Sequence, residues 1–245
     1  MSGAPYGPLT TTPASRSREA ALRSAALTFV VALVALLLWD TAVVYPLKIL
    51  VVLLHEISHG LAAVATGGAI ERIELSANEG GVCVTRGGSR FLILSAGYLG
   101  SLVWGALLLV LGARTRLDRP VVGLLGFGLL AVTVVYVRSL FGFTYGVLAG
   151  AALVAVAVAL PDAASDALLR LLGVVSCLYV VRDIASDLLL RDIPGSDANA
   201  LANLTGIPGV VWGGVWIAAA VLCVVLALRA SLRGEPAGPL RAGTG

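Results

Sequence analysis

Charge is scarce in this chain. Only 13% of its 245 residues are Asp, Glu, Lys or Arg, where a soluble domain carries about a quarter. With 58% hydrophobic residues and a mean hydropathy of +0.97, a soluble fold is excluded and an integral membrane protein is implied. The basic residues are scattered, so the net charge of +3 forms no run or stripe, and no nucleic-acid partner is expected. Cysteine is sparse too. Cys83, Cys177 and Cys223 show no C-x-x-C spacing, which argues against a disulfide framework or a cysteine zinc site. A single Lys and a single Met, beside heavy use of Ala, Val, Leu, Gly and Arg, suggest a high-GC bacterial genome and a multi-pass protein of the bacterial cell membrane.

Histidine is scarce as well, with two copies, and both fall in His55-Glu56-Ile57-Ser58-His59. On a helix, positions i and i+4 share a face, so the two imidazoles can reach one metal ion. Glu56 beside them is placed to handle a water at that ion, the H-E-x-x-H arrangement of zinc metalloproteases. The flanks, Leu47 to Leu54 and Gly60 to Val64, are almost wholly apolar. The motif therefore lies in an expected membrane span, where buried ionisable groups are costly and mark function.

Seven apolar runs approach the ~20 residues that a spanning helix needs. They are Leu22 to Trp39, Pro46 to Thr66, Phe91 to Gly112, Pro120 to Val137, Phe143 to Leu160, Leu168 to Leu190 and Pro208 to Leu228. Basic residues divide evenly between the two sides, which suggests that one run stops short of crossing. The expected fold is an all-α polytopic bundle of six or seven transmembrane helices. Residues 1–20 read as a disordered tail, 21–230 as one transmembrane domain and 231–245 as a flexible tail. Met1 to Ser17 is too polar for a signal peptide, so the first span is expected to be kept as an uncleaved anchor.

Gly67 to Arg90 is different in kind. Ile70, Ile73 and Leu75, then Val82 and Val84, form two extended-looking runs around Asn78-Glu79-Gly80-Gly81. This predicts a short β-hairpin directly after the metal-binding helix. Its open edge could pair with an extended peptide. Small residues Ser95, Ala96, Gly97, Gly100, Ser101 and Gly105 open the next span and suit close helix packing.

A catalytic zinc site usually takes three protein ligands and leaves one position open. With no histidine left, the third ligand is a carboxylate or a thiolate. Asp183 and Asp187 lie four apart in the otherwise apolar sixth run. Asp183 is favoured as the deeper of the two, with Asp187 as runner-up. A third option is Asp197 in Pro194-Gly195-Ser196-Asp197-Ala198-Asn199, where a polar loop could fold back.

The chain resembles the site-2 protease family of intramembrane zinc metalloproteases, in its compact bacterial branch without a PDZ domain. The resemblance rests on His55-Glu56-Ile57-Ser58-His59 in an apolar helix, the following Gly60, the hairpin-like segment, and Gly97-Tyr98-Leu99-Gly100-Ser101. It implies a helix bundle with one Zn2+ below the membrane surface, His55 and His59 as ligands and Glu56 as catalytic base. It also implies membrane lipid and a transmembrane protein or peptide substrate as partners. The family typically draws its third ligand from an Asp-Gly pair, whereas Asp183 here is followed by Ile184. The leading expectation is a zinc-dependent intramembrane endopeptidase. The alternative is an inactive relative, or a metal-binding membrane protein that binds membrane partners.

Overall fold

The computed structural model describes residues 13–114, 117–186 and 195–232. From the N-terminus the elements are α1 (Pro13–Leu37), α2 (Tyr45–Ala65), β1 (Ala69–Leu75), β2 (Gly81–Arg86) and α3 (Arg90–Arg114). There follow α4 (Asp118–Tyr136), α5 (Leu140–Ala159), α6 (Asp162–Ala185), α7 (Asp197–Thr205) and α8 (Gly209–Leu232). Among the described residues six helices, α2 to α6 and α8, are long and apolar enough to cross a membrane. In α1 only Ala25–Leu37 is apolar, which is why the sequence yields six full spans and one short run. The helix begins at Pro13, inside the 1–20 segment; residues 1–12 and 233–245 lie outside the described residues.

α2 is the most enclosed of the spans, 72% buried against 22% for α4, α5 and α8. Pro46 lies in the first turn of α2, where a missing N–H costs nothing. The helix stops at Thr66 and Gly67, whose φ of 85° turns the chain into β1. α3 lies against α2 because α3 carries no side chain at Gly100, where a Cβ would overlap Ser58. It meets α6 at Gly105 and Gly173, where a Cβ on Gly105 would sit 3.0 Å from the Gly173 carbonyl oxygen.

The hairpin is antiparallel, with Ala69 opposite Arg86, Ile73 opposite Cys83, Leu75 opposite Gly81, and a register shift between Ile70 and Arg72. It folds back along α2 and is pinned on several sides. At its tip, Tyr45 donates to the Ala77 carbonyl at 2.6 Å, and Lys48 pairs with Glu79 at 2.5 Å. The outer edge of β1 is taken: Arg138 N–H donates to the Ile73 carbonyl at 2.9 Å. The Ser139 hydroxyl accepts from Leu75 N–H and donates to the Leu75 carbonyl, both at 2.9 Å. The outer edge of β2 pairs with no strand among the described residues.

α6 begins ahead of the expected sixth run at Leu168: Asp162 and Asp166 stand in its first turns, because Pro161 caps the helix and an acidic residue there complements the helix dipole. Asp166 also pairs with the buried Arg170 at 2.6 Å, one helical turn on. The polar stretch before α8 contains α7, capped by Ser196, whose hydroxyl accepts from Asn199 N–H, and ended by left-handed Gly206.

Candidate metal centre

The helical repeat of α2 brings His55 and His59 together, with ring centroids 4.7 Å apart and planes at 78°. Nδ1 of His59 lies 2.6 Å from the Ile93 carbonyl oxygen of α3. A carbonyl can only accept, so Nδ1 carries the proton and Nε2 keeps its lone pair for a ligand. A third group arrives from α7, whose first turn begins with Asp197. Asp197 Oδ2 stands 3.1 Å from His55 Nε2 and 3.2 Å from His59 Nε2. These three are the metal-capable group of His, Cys, Asp and Glu side chains found among the described residues.

Whether a metal fits can be tested on that geometry. Two ligands at 2.0–2.1 Å from a tetrahedral zinc are about 3.3 Å apart. The observed 3.1 and 3.2 Å are close to that spacing. Asp197 Oδ2 is also buried and makes no properly directed hydrogen bond among the described residues, despite two nitrogens nearby. Lone pairs that converge on a shared point rather than on each other are what a cation requires. Gly97 leaves the space open: a Cβ there would collide with His55 Nε2 and lie 2.6 Å from Asp197 Oδ2. The donor set, two imidazoles and one carboxylate, suits zinc.

Glu56 is 5% exposed and lies under β2. A Cβ at Gly81 would sit 2.5 Å from Glu56 Oε1, so the hairpin passes directly over the carboxylate because residue 81 is glycine. The site opens into a cavity of about 580 Å³ lined by both histidines, Glu56, Asp197, Asp183 and the β2 backbone region. Asp183 therefore shares the cavity without joining the three converging groups. Asp187 lies outside the described residues. Cys83 lines the same wall, and burial, reinforced by Glu56, pushes its thiol up to about 12. Its sulfur is not one of the three converging groups.

Sequence reasoning held Asp197 only as the third option. The signals for its helix were present, in Ser196 at the cap and Gly206 at the end. What carries the carboxylate onto the histidines is tertiary, since they lie about 140 residues away along the chain.

A family model described as Peptidase M50B-like matches residues 28–227. No curated protein and no solved structure matches the chain significantly.

Proposed function

The chain belongs to the Peptidase M50B-like family of membrane metallopeptidases, and on that premise we propose that it is a zinc-dependent intramembrane endopeptidase acting on membrane-protein substrates. The observation that carries this reading is the carboxylate oxygen of Asp197 within 3.2 Å of both histidine nitrogens. His55, His59 and Asp197 are the proposed ligands, and Asp183 is a residue of the cavity wall. When bound, zinc supplies Lewis acidity, polarising the scissile carbonyl and acidifying a water.

The chain's own groups do the rest. His59 is fixed in one tautomer by Ile93, and Asp197 contributes the single negative charge of the set. Glu56, next to His55, accepts a proton as the water oxygen bonds to the carbonyl carbon. It returns that proton to the amine nitrogen as the C–N bond breaks. Helical carbonyls are already hydrogen-bonded, so a membrane substrate must unwind to react. The outer edge of β2 pairs with no strand among the described residues, and its Cys83 backbone meets the Glu56 carboxylate in the cavity wall, so this edge is suited to hold the unwound segment beside the base by strand addition. The composition favours the bacterial cell membrane as its location.

The test is Glu56→Gln in liposomes carrying a model transmembrane substrate. Zinc content stays at the wild-type level while cleavage falls about 100-fold or more. Undiminished cleavage rejects the mechanism. Wild-type protein that holds zinc yet cleaves nothing selects the inactive-relative reading instead.

A further inference from the structure

The two histidines are secured in different ways. His59 has the Ile93 carbonyl at 2.6 Å behind it. Among the described residues His55 has no hydrogen-bond partner on its outer nitrogen. Its ring is bounded instead by aromatic neighbours. On one side is His59, and on another Tyr98 of α3, perpendicular at 86° with centroids 5.2 Å apart. Trp216 of α8 packs against Tyr98 in turn, with centroids 4.7 Å apart. Tyr98 is 3% exposed and Trp216 only 2%, so neither ring has room to turn away.

Metal-binding imidazoles ordinarily owe their orientation to a hydrogen bond from the outer shell, and losing that support costs 10–100-fold in affinity. An unsupported ring would swing about its Cβ–Cγ bond. Perpendicular aromatic packing is directional, because the positive edge of one ring meets the negative face of the other. Gly97 permits the approach: a Cβ there would strike His55 Nε2, so α3 comes close enough for the next residue to reach the ring.

We infer that Tyr98, backed by Trp216, is the positioning residue for His55, standing in for the hydrogen bond that His59 has. α8 thus helps to build the metal centre without supplying a ligand to it. The inference rests on the proposed zinc site. The ring does the positioning, so the hydroxyl is dispensable for it.

The experiment uses the full chain in detergent. Zinc affinity is measured by competition with a chromophoric chelator, and site geometry by the visible bands of the cobalt-substituted protein. Tyr98→Leu weakens zinc about tenfold and shifts the cobalt bands, at the lower end of outer-shell effects. Tyr98→Phe keeps both within about twofold, which a general packing defect would not discriminate. Trp216→Leu, which leaves the Tyr98 ring but removes its backing, gives an intermediate loss of about threefold. Wild-type affinity and an unshifted spectrum in Tyr98→Leu overturn the inference, as does a Tyr98→Phe as damaged as Tyr98→Leu. If Tyr98→Leu loses its helical signal, Trp216→Leu decides, and wild-type behaviour in that variant overturns the inference. Wild-type protein that binds no zinc rejects the proposed function and this inference with it. Zinc-loaded wild type beside an unchanged Tyr98→Leu rejects the inference alone.

Discussion

α2 separates two cavities of opposite character. On one face His55, Glu56 and His59 look into the polar cavity of about 580 Å³. On the other, Leu54, Ile57 and Leu61 line a cavity of about 360 Å³ shared with α3 and α4, whose walls are almost entirely apolar. A helical step of 100° per residue puts these two triplets on nearly opposite sides. Ser58 lies at the boundary, where Trp104 Nε1–H donates to its hydroxyl at 3.2 Å. The apolar space asks for nothing, since hydrocarbon can fill or line it. The polar space is costly: it gathers two glutamates, two aspartates, an arginine and two histidines in one cavity of an otherwise apolar bundle. Such a concentration persists only where those groups have work to do together.

The comparison can be broken most severely on the polar side. Asp197→Ala removes one of the three converging groups, and zinc affinity falls by more than the 10–100-fold typical of an outer-shell loss. Asp183→Ala, from the same cavity wall, stays within about threefold. Chelator competition on the two variants checks both. Equal losses would move the third ligand away from Asp197.

A smaller break leaves the metal alone. Gly81→Val drives a side chain into Glu56 Oε1, only 2.5 Å from the position of the first added carbon. Misplacement of a reacting group by about 1 Å costs on the order of 100-fold in rate. Cleavage falls to that extent while zinc affinity stays at the wild-type value. Retained cleavage would show that the carboxylate has room the packing denies.

The smallest effect belongs to the apolar side. Gly128 lines that cavity, and a Cβ there meets nothing within 4 Å. Gly128→Ala raises the melting temperature slightly, through a gain of about 0.5–1 kcal/mol. Neither zinc affinity nor cleavage changes. A fall in either would couple the two faces through α2.

These contrasts follow the line between local and distant information. The pairing of His55 with His59 was legible because i and i+4 need only one helix, and the hairpin because Ile73 and Leu75 alternate before Asn78-Glu79-Gly80-Gly81. The tip holds a positive φ at Glu79, the non-glycine residue of that turn to adopt one. Depth in an apolar run favoured Asp183, and that criterion is one-dimensional. It measures distance from a predicted helix end and is blind to a polar segment that returns to the bundle, as α7 does with Asp197. Gly97 and Gly81 were readable as small residues, but what they make room for lies on other elements. The blocked edge of β1 was likewise out of reach, because Ser139 meets Leu75 from 64 positions away.

The three cysteines remain as free thiols, so no covalent bridge ties distant parts of this chain together. An ion gripped by His59 and Asp197 would close a loop of about 140 residues, the span over which a cross-link most restricts the unfolded chain. Zinc would then act as a staple as well as a reagent. Stripping it with a chelator should free the short α7 before any spanning helix moves, and hydrogen exchange at Ala198 to Leu201 would register that first.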